Sequence, residues 1–289
     1  MTDCVSIYEV GPRDGLQNEP RVIPTSEKVA LIDALTGSGV GSVEVGSFVS
    51  PKWVPQMADT AEVLRAMSWD HDTPIAVLVP NMRGWEAFAA IGSPVGEIAV
   101  FISASEGFSR ANLNCSVADS IARAAPVVRA AEDAGLSVRG YISCVTDCPF
   151  DGPVAPSAVV HAARSLRGLA RVPMPLSLGD TIGAGRPATV GAMLDAVLEV
   201  VPPEQLAGHF HDTGGAALAN IEVSLGRGLR VFDTAVGGLG GCPYAPGAPG
   251  NVSTEMVVDR LVELGLETGV DRDAVARAAE MARQMRGQP

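Results

Sequence analysis

The 289-residue sequence is poor in cysteine, histidine and aromatic side chains. Its five cysteines form an odd set without a CxxC pair, so neither a disulfide framework nor a common zinc-ligand spacing is indicated. This cysteine usage is typical of a reducing compartment, and we expect a cytoplasmic protein. Stability is then left to an apolar core, for which hydrophobic residues make up 47% of the chain.

Long apolar runs and an excess of positive charge are also missing. The longest uncharged run, Thr234 to Thr254, is rich in Gly and Pro, which is typical of a loop and not of a membrane-spanning helix. The opening residues, MTDCVS, contain no basic segment followed by an apolar one, so no signal peptide is expected. A net charge of −12 argues against nucleic acid or an anionic membrane surface as partners. An anionic small substrate is not excluded, because a few arginines suffice to attract it.

What the chain does contain is a repeated alternation of short apolar runs with amphipathic segments. Eight runs indicate strands, and they begin at Val5, Ser42, Ile75, Glu97, Ser137, Met174, Leu206 and Arg230. The clearest helical stripe between them consists of Val190, Met193, Leu194, Val197 and Val201. Eight strand–helix repeats within about 250 residues predict an α/β fold of the (β/α)₈ TIM-barrel type. A doubly wound open sheet is the alternative, although no GxGxxG follows the first strand.

No Pro-rich or Ser-rich linker divides the chain, so we predict a single domain over residues 1–289. The barrel is expected over about 5–265 and an extra C-terminal helix over about 271–287. Active sites of such barrels lie at the carboxyl ends of the strands, which makes polar residues there candidates for chemistry. These candidates are Arg13, Asp14, Gln17 and Asn18 after the first strand, Glu44 and Ser47 on the second, Asp180 on the sixth, His209, His211 and Asp212 on the seventh, and Asn251 after the eighth.

The segment GHFHDT places two of the four histidines, His209 and His211, one residue apart. On a strand that spacing directs both imidazoles to the same face. With Asp14 on the same rim they form a candidate open site for a divalent metal, and the carbonyl oxygen of Asn251 would favour Mg²⁺ or Mn²⁺. The alternative is a pair of polar residues at a strand end, each satisfied by protein groups.

Arg13 and Cys242 each allow two interpretations. Arg13 could stabilise an oxyanion beside the metal, or it could form a structural ion pair with a carboxylate such as Glu44. Both can hold, because an arginine fixed by a carboxylate is a better-positioned donor. Cys242 lies in a loop with six glycines between Gly237 and Gly250. That loop could close over a site and present the thiol for proton transfer, whereas a lone cysteine is often inert.

Several motifs resemble the 3-hydroxy-3-methylglutaryl-CoA lyase family, part of a group of metal-dependent (β/α)₈ lyases and Claisen-type synthases. They are EVGPRDGLQNE, SFVSPKWVPQMAD, SEGFSRANLNCS, SLGDTIGAG, GHFHDT, ALAN and GLGGCPYAPGAPGN. The resemblance extends from about Val5 to about Val270 and implies a divalent metal, usually Mg²⁺ or Mn²⁺. Its implied ligands are Asp14, His209, His211 and Asn251. The implied catalytic residues are Arg13, Glu44, Asp180, His209 and Cys242, and the implied substrate contacts are Arg13, Gln17 and Ser47.

The reaction implied by this resemblance is a retro-Claisen cleavage of 3-hydroxy-3-methylglutaryl-CoA, or a close analogue, to acetyl-CoA and a keto product. For the parent substrate that product is acetoacetate. A base, either Asp180 or a histidine of the pair, would take the hydroxyl proton, and Arg13 would meet the charge on the thioester oxygen. Cys242 is the candidate proton donor to the enolate carbon. The expected partner is an acyl-CoA thioester, and a homodimer is one candidate assembly.

The sequence departs from the family pattern close to these residues. Relatives commonly read VEATSF, HDTYGQALAN and NEK where this chain has Gly46, Gly214 and Pro20. Loss of the tyrosine at Gly214 could open space for a larger or differently shaped acyl group, and loss of the lysine at Pro20 could change contacts with the CoA phosphates or a neighbouring loop. The alternative function is therefore a lyase for another branched 3-hydroxyacyl-CoA, such as citramalyl-CoA or an isoprenoid-derived glutaryl-CoA. The non-enzymatic alternative is a metal-binding or CoA-binding domain without turnover.

Overall fold

The structure, a computed structural model, describes residues 4–242 and 245–287, and of residues 242–249 it describes no side chain. Eight parallel strands form a closed barrel. In chain order they are β1 (Ser6–Glu9), β2 (Ser42–Ser47), β3 (Ile75–Leu78), β4 (Glu97–Ser103), β5 (Ser137–Ser143), β6 (Leu176–Asp180), β7 (Leu206–Phe210) and β8 (Val231–Thr234). Because β1 pairs with both β2 and β8, the sheet has no edge. The predicted strands and the (β/α)₈ barrel are confirmed, and the doubly wound alternative is wrong.

Helices follow the strands and cover the outside of the barrel. They are α1 (Thr25–Thr36), α2 (Thr60–Ala66), α3 (Met82–Ala89), α4 (Glu106–Leu113), α5 (Val117–Asp133), α6 (Pro156–Arg167), α7 (Pro187–Leu198), α8 (Ala217–Leu225), α9 (Thr254–Glu263) and α10 (Arg272–Met285). The stripe predicted from Val190 onward is the buried face of α7. The extra C-terminal helix is α10, which packs against α1 and the segment after β8.

Among the helices of the described residues, none has the length and apolar character needed to cross a membrane.

The centre of the barrel is polar, unlike the branched apolar filling that is typical of this fold. Tyr8 of β1 packs against the guanidinium of Arg139 of β5, and Tyr141 of β5 donates a hydrogen bond to Glu44 of β2. Contacts between strands that are not neighbours require these side chains to point into the barrel. Alternate residues such as Ile7 point the other way, into the apolar core. The strands thus separate an apolar layer under the helices from a polar interior.

The loop after β8 returns to β7 and brings Asn251 to the rim. It contains a short antiparallel pair, Gly241–Cys242 with Ala245–Pro249. Beyond that pair, Asn251 forms an antiparallel bridge with His211. The N–H of Asp212 donates to the carbonyl oxygen of Gly250 at 2.7 Å. Backbone pairing therefore makes neighbours of two residues that are far apart in the sequence.

Candidate active site

The turn after β1 presents Arg13 and Asp14 at the rim, and Glu9 holds this turn in place. Residues Gly11–Gly15 form one wide helical turn directly after the strand. The Glu9 carboxylate accepts hydrogen bonds from Gly11 N (2.7 Å), Val236 N (3.0 Å) and Thr254 Oγ1 (2.6 Å). Burial raises the pKa of Glu9 to about 7, although these three bonds lower it. Glu9 therefore joins the loops that follow β1 and β8, which carry residues of the same site.

One carboxylate and two imidazoles converge at the rim. One potential ligand atom from each of Asp14, His209 and His211 lies within 4.8 Å of the others. The two imidazole rings have centroids 5.3 Å apart, as the strand spacing predicts. His209 Nε2 lies 3.9 Å from Asp14 Oδ2, and Nδ1 of His211 is buried without a hydrogen-bond partner among the described residues. A buried, unpartnered nitrogen on an imidazole that approaches both a carboxylate and a second imidazole fits a site for a bound metal ion.

Two carboxamides complete the surroundings of Asp14. Asn251 Nδ2 donates to Asp14 Oδ2 at 2.9 Å, and Gln17 Nε2 donates to Asp14 Oδ1 at 2.8 Å. The four predicted metal ligands thus lie together, but the amide nitrogen of Asn251 faces Asp14 where its oxygen was expected. The two ends of a carboxamide have nearly the same shape, so rotation by half a turn exchanges nitrogen for oxygen. Ligation by these residues stays a prediction.

The protonation states of Asp14 and His211 suit cation binding. Burial raises the pKa of Asp14, but the charges of Arg13 and the histidines together lower it to well below its usual range. Burial and the neighbouring His209 lower the pKa of His211 to about 4, which keeps this imidazole neutral near pH 7. For His209 burial lowers the pKa, but its bond to Asp233 and the Asp14 charge raise it above its ordinary value. A carboxylate and neutral imidazoles are the forms that coordinate metals, so a metal must displace a proton from His209 wherever that imidazole is charged.

Arg13 is fixed on two sides by carboxylates. Its Nε donates to Glu44 Oε2 at 2.5 Å and its Nη1 to Asp14 Oδ1 at 2.6 Å. Burial lowers the pKa of Arg13, but Glu44 and Asp14 raise it above its usual value. The guanidinium also lies 5.3 Å from the ring centre of Tyr141. The predicted ion pair between Arg13 and Glu44 is therefore present. The Nη2 atom of Arg13 makes no hydrogen bond to any residue that the structure describes, so Nη2 can donate to a ligand.

Asp180 and Ser47, two further predicted site residues, lie at the ends of their strands and are not hydrogen-bonded to this group. Asp180, at the end of β6, is fully buried and accepts hydrogen bonds from Thr146 Oγ1 (3.1 Å) and Gly185 N (3.0 Å). Burial raises the pKa of Asp180 more than these bonds lower it. Ser47 is buried at the end of β2. The side chain of Cys242 lies outside the described residues, so its role stays a prediction.

Sequence reasoning missed three buried residues that hold the site, Glu9, Tyr141 and Asp233. Asp233 of β8 is paired with His209 in the strand register and accepts a hydrogen bond from its Nδ1 at 3.3 Å. In the sequence such residues can be found as charged or hydroxyl-bearing residues within apolar strands, as in SIYEV and RVFDT. A polar side chain buried in this way needs a hydrogen-bond partner, but which residue is the partner depends on how the barrel closes.

The two glycines that depart from the family pattern do not open the rim, contrary to expectation. A Cβ atom at Gly46 would lie 2.6 Å from Cγ2 of Thr60, so this position faces α2 and not the barrel interior. At Gly214 a Cβ would lie 3.0 Å from Nη1 of Arg186, whose guanidinium donates to the Gly214 carbonyl oxygen at 2.9 Å. The space beside Gly46 is therefore filled by the side chain of Thr60. The space beside Gly214 is filled by the Gly183 carbonyl oxygen, 2.7 Å from the Cβ position, and by Arg186.

The chain is similar to known proteins in sequence and in structure over nearly its whole length. The HMGL-like family model matches residues 4–282. A 3-hydroxy-3-isohexenylglutaryl-CoA/hydroxy-methylglutaryl-CoA lyase from Pseudomonas aeruginosa is 51% identical over 276 residues, covering 96% of this chain and 91% of that protein. The solved HMG-CoA lyase from Brucella melitensis is 55% identical with a TM-score of 0.96, over 99% of this chain and 100% of that one. An HMG-CoA lyase from Acinetobacter baumannii, solved with coenzyme A and 3-methylmalate, is 34% identical with a TM-score of 0.91, over 99% of this chain and 92% of that one.

Proposed function

The chain belongs to the HMGL-like family, and from this premise we propose that it is a carbon–carbon lyase that cleaves 3-hydroxy-3-methylglutaryl-CoA to acetyl-CoA and acetoacetate. The observation that carries the proposal is the contact of Arg13 with Asp14, next to His209 and His211. A guanidinium donor and a metal-ligand set within one buried group are what a retro-Claisen cleavage needs, because negative charge develops on the thioester oxygen while the hydroxyl loses its proton.

The donor set supports a divalent metal held by Asp14, His209, His211 and Asn251. Two imidazoles with a carboxylate and an amide oxygen leave positions for substrate oxygens, and the oxygen donors favour Mg²⁺ or Mn²⁺. The buried, unpartnered Nδ1 of His211 supports the fit. When bound, the cation supplies Lewis-acid polarisation of the substrate hydroxyl.

Arg13 has the clearest role among the protein groups. Glu44 and Asp14 occupy its Nε and Nη1, so the guanidinium is held before substrate arrives. Its remaining N–H groups would donate to the thioester oxygen as that atom becomes an enolate oxygen. Donors fixed in advance stabilise developing charge without reorganisation, and one such donor contributes roughly 2.7–4 kcal/mol.

Two candidates remain for the base that takes the hydroxyl proton, Asp180 and a histidine of the pair. Burial raises the pKa of Asp180, which brings this carboxylate closer to the range of an effective base near neutral pH. It also lies one strand away from His209, since Gly179 pairs with His209 in the register. Cys242 stays the candidate donor of a proton to the enolate carbon.

The thioester is proposed to be an acyl-CoA, which the Acinetobacter baumannii complex with coenzyme A supports. A lyase for another branched 3-hydroxyacyl-CoA is the second candidate, since the similar Pseudomonas aeruginosa protein carries a name with two such substrates. The filled spaces at Gly46 and Gly214 favour the parent substrate, because neither substitution enlarges the rim.

Two finer expectations belong to the same proposal. The described cysteines Cys4, Cys115, Cys144 and Cys148 are free thiols, which supports a reducing compartment such as the cytoplasm. A homodimer stays a prediction, to be checked by the mass of the native protein in solution.

The direct test is acetyl-CoA release from purified protein supplied with Mg²⁺ or Mn²⁺. The assay compares three thioesters at equal concentration, with and without reductant. They are the parent thioester 3-hydroxy-3-methylglutaryl-CoA, citramalyl-CoA and an isoprenoid-derived glutaryl-CoA. We expect the highest kcat/KM for the parent thioester and loss of activity after chelation. If no thioester released acetyl-CoA, lyase activity would be contradicted. A higher kcat/KM for one of the branched analogues would identify that analogue as the preferred substrate instead of the parent thioester.

A further inference from the structure

The carboxylate of Asp233 lies directly behind the imidazole of His209, on the side away from Asp14. Asp233 is 1% exposed and sits on β8, in register with His209 on β7. Its Oδ2 accepts hydrogen bonds from His209 Nδ1 at 3.3 Å and from Ser177 Oγ at 2.7 Å. Its Oδ1 accepts from Arg139 Nη2 at 2.5 Å. Three donors from three other strands therefore hold one carboxylate below the rim.

These contacts determine which nitrogen of His209 carries the proton. An ionised carboxylate only accepts hydrogen bonds, so the neutral imidazole must place its N–H on Nδ1, facing Asp233. The lone pair is then on Nε2, the atom that lies 3.9 Å from Asp14 Oδ2. A ligand nitrogen must present a lone pair, and an imidazole with its proton on Nε2 could not serve.

Arg139 keeps the carboxylate charged and immobile. This guanidinium is 3% exposed and lies 3.6 Å from the ring centre of Tyr8, whose hydroxyl donates to Glu97 at 2.8 Å. An arginine packed over an aromatic ring inside a barrel has little freedom to turn away from its partner. The arrangement of Tyr8, Arg139, Asp233 and His209 thus extends from the middle of the barrel to the rim.

We propose that Asp233, held by Arg139 and Ser177, is a positioning residue that sets the tautomer and orientation of His209 and thereby the affinity of the rim for its divalent metal. The inference rests on the metal-dependent function proposed above. It assigns a role in metal affinity to residues that lie below the rim and do not themselves coordinate the ion.

The test combines Asp233→Asn with Asp195→Asn as a matched control. Arg139 can only donate, so the asparagine oxygen should face Arg139 and its N–H should face His209, whose Nδ1 must then accept a hydrogen bond and carry no proton. Asp195→Asn makes the same substitution on the surface of α7 and leaves every contact of Asp233 in place. Titration of each metal-free protein with Mn²⁺ in a calorimeter, without substrate, should show affinity about 10- to 100-fold lower for Asp233→Asn and nearly unchanged for Asp195→Asn.

The tautomer itself gives a second, independent measurement. With ¹⁵N-labelled histidine at alkaline pH, we expect the unaltered chain to show His209 as the Nδ1–H form and Asp233→Asn to shift toward Nε2–H. A loss of stability alone would not move this signal. An Nε2–H form in the unaltered chain would overturn the proposal even if Asp233→Asn failed to fold, as would Mn²⁺ affinities equal within error. Absence of Mn²⁺ binding by the unaltered chain would contradict the proposed metal dependence, while the tautomer would still decide the role of Asp233.

Discussion

Ion pairs inside the barrel and ion pairs on the outer helices use the same chemistry with different consequences. Arg13 with Glu44, and Arg139 with Asp233, are almost completely buried. Arg227, in the turn after α8, pairs with Asp195 of α7 at the surface, where the two side chains are 29% and 63% exposed. A buried pair cannot lose one partner without leaving an uncompensated charge, whereas an exposed charge is solvated again at once. Interior pairs can therefore hold catalytic groups in fixed positions, and surface pairs cannot.

Among the changes to these ion pairs, removal of Arg139 should lower the stability of the fold the most. Arg139→Met leaves the Asp233 carboxylate buried without its cation, and we expect the free energy of unfolding to fall by about 3–5 kcal/mol. Urea unfolding of the metal-free protein, followed by circular dichroism, measures this. Arg139→Met combined with Asp233→Asn should recover part of the loss because no buried charge is left alone. If the double variant were no more stable than Arg139→Met, the effect would come from lost packing on Tyr8.

Arg13 tests whether a buried pair serves catalysis. Arg13→Gln removes the charge that we propose meets the enolate oxygen, and we expect kcat to fall about 10²- to 10³-fold, which corresponds to roughly 2.7–4 kcal/mol. Steady-state acetyl-CoA release with saturating metal is the measurement. Mn²⁺ titration serves as the control and should show that the variant still binds metal. A rate within a few-fold of the unaltered chain would remove Arg13 from the catalytic role.

Glu9 is a buried carboxylate without an ion-pair partner among the described residues, and its burial makes the stability of the fold depend on pH. Its pKa in the folded chain is raised to about 7 from an ordinary value of 4.5, so the folded state holds the proton more tightly than the unfolded state. Stability is therefore lost as the pH rises through this interval, by about 3–4 kcal/mol once the group is ionised.

The matched variant is Glu9→Gln, whose amide can accept from Gly11 and Val236 and donate to Thr254. We expect it to be more stable than the unaltered chain at about pH 8 and equally stable at about pH 5. Chemical unfolding at both pH values in the presence of a chelator is the measurement. A difference that does not change with pH would mean that Glu9 does not titrate in this range.

The exposed pair should show the smallest effect. Asp195→Asn removes the partner of Arg227 on the surface, and we expect no measurable change in Tm, metal affinity or kcat because both groups remain hydrated. Thermal unfolding monitored by circular dichroism checks this. A fall in Tm comparable with that of Arg139→Met would contradict the distinction between the two regions.

The prediction of the fold succeeded because hydrophobic pattern is a local property. Each of the eight strands is an apolar run, and the amphipathic stripe from Val190 to Val197 marks a helix without reference to any other part of the chain. Active sites of such barrels lie at the carboxyl ends of the strands, and this rule predicted that Asp14, His209 and His211 lie together. In the structure, one ligand atom from each lies within 4.8 Å of the others. Local pattern together with one rule of the fold was sufficient for this part of the site.

The partners of charged residues in the strands could not be predicted in this way. Glu9 and Asp233 are conspicuous in apolar strands, yet their partners lie on elements distant in sequence, such as Thr254 and Arg139. The effect of Gly214 was misjudged for the same reason. Whether a missing side chain leaves space depends on its neighbours, and here Arg186 fills it.

By itself the amino-acid sequence determined the strand–helix order, the rim on which chemistry collects and the residue types that can bind a metal. Only the tertiary structure decided that Arg13 is held by Glu44, that Asn251 lies against Asp14 and that Asp233 orients His209. The physical reason is that periodicity and propensity act over a few residues. Pairing of buried charges instead follows from closure of the barrel between β1 and β8, which brings residues from distant strands into one polar interior.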